Sequence, residues 1–111
     1  MGISTHILDT SRGRPAVGVD VALRRQQADG SFSIIKTGVT DADGRVKGLV
    51  EGQPETGVYQ LRFATGAYFQ AQKVTAFYPV VEIIFVVDQS GEHYHVPLLL
   101  NPFGFSTYRG S

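Results

Sequence analysis

Three histidines carry most of the latent chemistry in this sequence: His6, His93 and His95. His93 and His95 stand two apart in "HYHVPLLL", so on an extended strand both imidazoles project to one side. Such a pair suits zinc or copper, with His6 as a third ligand. It equally suits acid–base work near neutral pH. No carboxylate stands at a second fixed spacing beside them, and a lone strand histidine is ordinarily a surface or hydrogen-bonded residue. Arg45 follows the turn "DADG". Ordinarily that is a solvated charge, although a guanidinium there could stabilise a developing negative charge. The last six residues, "STYRGS", bring Tyr108, Arg109, Gly110 and Ser111 directly behind an aromatic strand pattern, where a bland, fraying end is the usual outcome. "DADGR" resembles the start of a calcium loop but lacks its later ligands and closing glutamate, so it reads as a hairpin turn. Gly-x-Ser-x-Gly, Gly-x-Gly-x-x-Gly and Walker patterns are absent. From the residues alone, the chemistry best supported is acid–base work by histidine and tyrosine, with arginine stabilising negative charge.

The elements that must position these groups are strands. Alternation with period two dominates. Val17, Val19, Val21 and Leu23 take one face, and Gly18, Asp20, Ala22 and Arg24 the other. "ADGS" (28–31) punctuates, and "FSIIKTGVT" (32–40) reads as the next strand. In residues 57–65, Tyr59, Leu61 and Phe63 alternate with Val58, Gln60 and Arg62. "TGAYFQAQKV" (65–74) breaks the alternation and predicts a short helix of two turns. "YPVVEIIFVVD" (78–88) is apolar on both faces, so it is either a central strand or one that meets another chain on its second face. Tyr94, Val96, Leu98 and Leu100 form a core face, with His93, His95, Pro97 and Leu99 opposite. "NPFG" (101–104) folds the closing segment back as a hairpin, which puts Tyr108 on the face of His95. Arg109, by parity, points away from Tyr108 and is expected to anchor the terminus. Near the start, Ile3, Thr5 and Ile7 alternate with Ser4, His6 and Leu8. Seven or eight strands, one short helix and frequent turns imply an all-β, two-sheet antiparallel sandwich.

The totals agree with a compact enzyme or binding module. At 111 residues, 42% hydrophobic and 18% charged, residues 1–111 read as a single domain with a real core. Ten basic and ten acidic residues cancel, so neither nucleic acid nor an anionic membrane is an expected partner. No cysteine is present, which excludes disulfides, thiolate catalysis and Cys-type zinc sites and fits a reducing compartment. "MGISTHILDT" shows no signal-peptide pattern, and the longest apolar run is too short to span a bilayer. The expected location is the cytoplasm.

Three stretches carry a specific likeness. "HILDTSRGRPA", "DGRVKGL" and "HYHVPLLLNPFGFSTYRGS" resemble the 5-hydroxyisourate hydrolase family, the transthyretin-related enzymes of urate degradation. The likeness runs from about Ile3 to Ser111, and "YRGS" is its most specific part. Transthyretin itself shares the sandwich but lacks the histidines and this ending. The resemblance implies a transthyretin-like sandwich assembled as a homotetramer, a dimer of dimers whose central channel is lined by the faces holding His6, His95 and Tyr108. It implies a site of His6, Arg45, His95, Tyr108 and Ser111, with Arg109 and Gly110 also meeting substrate, and no metal or other cofactor. His93 matches a less constrained position. The implied reaction is hydrolysis of 5-hydroxyisourate to 2-oxo-4-hydroxy-4-carboxy-5-ureidoimidazoline by water attack on a cyclic amide carbonyl, with His6 or His95 as the base. Ser111 would act through its hydroxyl or a terminal carboxylate, and a tag added after it is expected to obstruct the site. The alternatives are a transthyretin-like carrier of a small aromatic ligand and a three-histidine metalloprotein.

Overall fold

The computed structural model describes residues 2–46, 48–88 and 91–110. Eight strands and one helix follow in the order β1 (Gly2–Asp9), β2 (Arg14–Pro15), β3 (Asp20–Gln26), β4 (Phe32–Val39), β5 (Gly57–Phe63), α1 (Thr65–Ala71), β6 (Val81–Val87), β7 (His93–Asn101) and β8 (Gly104–Thr107). They form two four-stranded sheets, ordered β2-β1-β7-β8 and β4-β3-β5-β6. The sheets face each other across a core of Ile3, Ile7, Val21, Leu23, Leu61, Phe63 and Leu98, all nearly or fully inaccessible to water. The alternation of buried and more exposed positions sets the orientation of each strand, because burying one parity forces the other outward.

The short helix forms for a similar reason. Thr65, Tyr68 and Phe69 recur at helical spacing and are buried, so one stripe of α1 packs inward. Gly66 lies where a side chain could not. A Cβ there would sit 2.6 Å from the Pro79 carbonyl oxygen.

Four sequence expectations change. The sandwich is not wholly antiparallel: β1 and β7 run parallel over their whole length, from Gly2 opposite His93 to Asp9 opposite Leu100. Such a pairing is available because the chain visits the other sheet between the two strands. The apolar run at 78–88 is not central. Its strand, β6, is an edge paired only to β5, and its outer face leaves Ile84 and Val86 59% and 60% exposed. "DADG" makes a tight turn but does not close a hairpin, because the chain leaves it for the opposite sheet and bridges to β1 at His6 and Ile3. Val17 precedes β3 and is exposed, leaving Val19, Val21 and Leu23 as the buried set.

Candidate active site

The parallel pairing of β1 and β7 builds the site. Its register sets Ser4 opposite His95 and His6 opposite Pro97. Even residues of β1 and odd residues of β7 point away from the core, so Ser4, His6, His93 and His95 share one outer face. The β7–β8 hairpin brings the closing segment alongside, with Leu98 opposite Thr107 and Asn101 opposite Gly104. That register continues to an isolated bridge between His95 and Gly110, closed by a 2.7 Å bond from the Gly110 amide to the His95 carbonyl. It therefore aligns Tyr108 with Pro97, on the histidine face. The tyrosine is 58% exposed.

Arg45 arrives from the other flank. Asp41 Oδ1 accepts the amides of Asp43 (2.9 Å) and Arg45 (3.1 Å), and the Arg45 carbonyl accepts the Asp41 amide (2.9 Å). Gly44 then presses against β1: its carbonyl accepts the Ile7 amide at 2.8 Å, and a Cβ on it would meet the Ile7 carbonyl oxygen at 2.5 Å. Its φ of +75° is in the left-handed region that glycine tolerates. The result is the bridge that sets Arg45 beside His6.

His95 is held from two sides. The Ser4 hydroxyl lies 2.8 Å from its Nδ1. On the other ring edge, the backbone of Gly110 comes so close that a Cβ there would stand 2.6 Å from His95 Cδ2. These contacts leave Nε2 as the nitrogen without a hydrogen-bond partner among the described residues. The proton affinity of His95 is lowered below the ordinary histidine range, first by its burial, then by Arg45 and the neighbouring imidazoles of His93 and His6. An imidazole in this setting is neutral at neutral pH and free to take a proton.

The same hydroxyl of Ser4 also lies 2.8 Å from Nε2 of His93. The two rings are nearly parallel, with centroids 6.4 Å apart. Two of the three imidazoles considered for a metal, His93 and His95, thus converge on a serine hydroxyl. Among the described residues, no three His, Cys, Asp or Glu side chains gather as a metal site requires.

The structure brings together His6, Arg45, His95 and Gly110, with Tyr108 over the same face. It does not bring Arg109 to them. That guanidinium is 2.8 Å from the Glu92 carboxylate and lies 4.4 Å from the Tyr94 ring centroid, which suits an anchor for the closing segment. Ser111 lies outside the described residues. Ser4 was missed as a site residue. Its parity, two residues before His6, was a signal; its partner across the sheet was not visible without the β1–β7 pairing. A cleft of about 570 Å³ lined by Arg12, Arg14, Tyr68 and Gln72 beside α1 holds none of the histidines.

Comparison with known proteins places the chain in a family. Residues 3–110 match the HIUase/Transthyretin family. The 5-hydroxyisourate hydrolase of Salmonella dublin is 46% identical over 110 residues, covering 98% of this chain and 80% of that protein. The structure of Klebsiella pneumoniae 5-hydroxyisourate hydrolase superposes with a TM-score of 0.88 at 39% identity, covering all of both chains. Sea bream transthyretin in complex with thyroxine superposes with a TM-score of 0.92 at 38% identity, covering 97% of this chain and 93% of that one.

Proposed function

The chain belongs to the HIUase/Transthyretin family, and on that premise we propose that it hydrolyses 5-hydroxyisourate to 2-oxo-4-hydroxy-4-carboxy-5-ureidoimidazoline in urate degradation. The observation that carries this reading is the meeting of two histidines and an arginine on one outer sheet face, where His95 keeps Nε2 free and its proton affinity low.

In this reading His95 Nε2 takes a proton from water as the water oxygen adds to the cyclic amide carbonyl. Arg45 stabilises the oxyanion and orients the polar ring through its planar fork of donors. His6 supplies the second imidazole, placed to protonate the leaving nitrogen as the ring C–N bond breaks. Tyr108 covers a face of the ring. Gly110 sets the position of His95, and Ser111 is assigned to the site by the family likeness alone. Arg109 contributes by holding the segment through Glu92 and Tyr94 rather than by touching the ring. The reaction requires no metal or other cofactor.

An open sheet face encloses a small ring poorly, whereas binding sites are concave. We therefore include in the proposal a homotetramer, a dimer of dimers, in which facing copies close this surface into a channel. The exposed apolar face of edge strand β6 supports such contacts. Residues 1–111 act as one domain, and the cytoplasm is the proposed compartment.

The likeness to a thyroxine-binding transthyretin favours one rival, a non-catalytic carrier. Following freshly made 5-hydroxyisourate by NMR in the presence of the protein separates the two. Faster appearance of the ring-opened carboxylate supports the hydrolase. Tight binding of an iodinated aromatic ligand with decay of 5-hydroxyisourate at the uncatalysed rate would support the carrier.

A further inference from the structure

The hydroxyl of Ser4 occupies an unusual position: it is 2.8 Å from Nδ1 of His95 and 2.8 Å from Nε2 of His93. A serine hydroxyl has one proton to give. With both rings neutral, the chain of hydrogen bonds must therefore run in one of two directions. In the first, His93 Nε2–H donates to Ser4, Ser4 donates to His95 Nδ1, and the proton of His95 sits on Nε2. In the second, His95 Nδ1–H donates to Ser4, Ser4 donates to a bare His93 Nε2, and His95 Nε2 is bare.

Only the second direction holds when His95 gains a proton. An imidazolium carries hydrogens on both nitrogens, so its Nδ1–H must find an acceptor. Ser4 can accept only if its own proton goes elsewhere, and His93 Nε2 is where it can go. The first direction would set Nδ1–H against O–H and would have to reorganise in the middle of the reaction. A site that serves as a base works best when its surrounding dipoles already suit both protonation states. His93 is exposed on the sheet face and has no other described hydrogen bond, so its Nε2 is free for this use.

We propose that Ser4 and His93 are positioning residues that fix His95 as its Nδ1–H tautomer, with Nε2 bare and turned to the substrate. This deepens the hydrolase reading and rests on His95 being its base. The charged and titratable groups facing His95 are Arg45, His93 and His6; the Ser4 backbone carbonyl also favours a proton on the ring, and the Ser4 hydroxyl is the side-chain partner of Nδ1 among the described residues. His93, read from sequence as half of a metal pair and by resemblance as a less constrained position, thus acquires a use two hydrogen bonds from the chemistry.

The test uses the full chain and two readouts. Long-range 15N–1H correlation spectra of the histidines report the tautomer of His95 directly, whether or not the protein turns over. We expect Nδ1–H in the parent protein and a shift toward Nε2–H in Ser4→Ala. In steady-state assays, Ser4→Ala and His93→Phe should each lower kcat by about 10- to 100-fold with little change in KM. Ser4→Thr, which keeps the hydroxyl, should recover most of the loss, and melting temperatures establish that each variant is folded. An Nε2–H tautomer for His95 in the parent protein overturns the proposal, as does a Ser4→Ala variant with unchanged tautomer and kcat. If the parent protein does not hydrolyse 5-hydroxyisourate, the functional reading falls while the tautomer assignment is still decided by the spectra.

Discussion

At the scale of single residues, the account turns on the ring of His95. Burial, then Arg45 and the neighbouring imidazoles of His93 and His6, hold its pKa below the ordinary 6.5. The sign is plain. The neutral, base-competent form persists as pH falls through 6.5 and is lost only below it, so the acid limb of kcat/KM should lie on the acidic side of 6.5. The same depression favours the folded state above the unfolded value and fades as pH falls through the folded one. Rate profiles across pH 4.5–8 in constant ionic strength check this, and a limb centred above 6.5 would contradict it. Gly110 makes a second residue-scale prediction. A methyl group there would stand 2.6 Å from His95 Cδ2 and 3.3 Å from Pro97 Cγ, so the ring or the closing segment must move. A displacement of this order at a reacting group costs roughly 100-fold in rate. Gly110→Ala should therefore lose activity while melting close to the parent temperature, measured by paired kinetic and thermal assays.

At the scale of elements, the site depends on one long-range pairing and one turn. The outer faces of β1 and β7 were legible from the sequence, because Ile3, Thr5 and Ile7 in one segment and Tyr94, Val96, Leu98 and Leu100 in the other demand burial with period two. The parallel pairing of those strands was not, since the hydrogen bonds join residues some ninety positions apart and alternation carries no information about partner or direction. This is why Ser4 escaped notice as a neighbour of His95. The turn at Asp41 shows a similar limit. Its Asp-Gly chemistry was legible, while its destination on the other sheet was settled by the docking of Gly44 against Ile7. Asp41→Ala removes the acceptor for the Asp43 and Arg45 amides and frees the segment carrying Arg45. We expect about 1 kcal/mol of lost stability in urea titrations and a larger proportional loss in kcat/KM. Asp41→Asn, which keeps an acceptor oxygen, should restore much of both.

At the scale of the whole molecule, β6 teaches the clearest lesson about reading strands. A run apolar on both faces fits a central strand or a strand covered by a second copy, and single-chain periodicity cannot separate the two. The sheet order makes it an edge with Ile84 and Val86 exposed, a face that the proposed tetramer would cover. The candidate site has the same character. It is an open face on one chain, which the proposed tetramer would close. Residue identities made the hydrolase reading available; the proposed mechanism rests on the convergence of His6, Arg45 and His95 on that face. The measurement that bears most directly on it is the decay of freshly generated 5-hydroxyisourate, followed by absorbance with the parent protein and with His95→Ala at matched concentrations. The account expects the parent to accelerate decay far above the uncatalysed rate and His95→Ala to lose about 100-fold or more of that acceleration while remaining folded. A parent protein that leaves the decay unchanged, or a His95→Ala variant as fast as the parent, would contradict it.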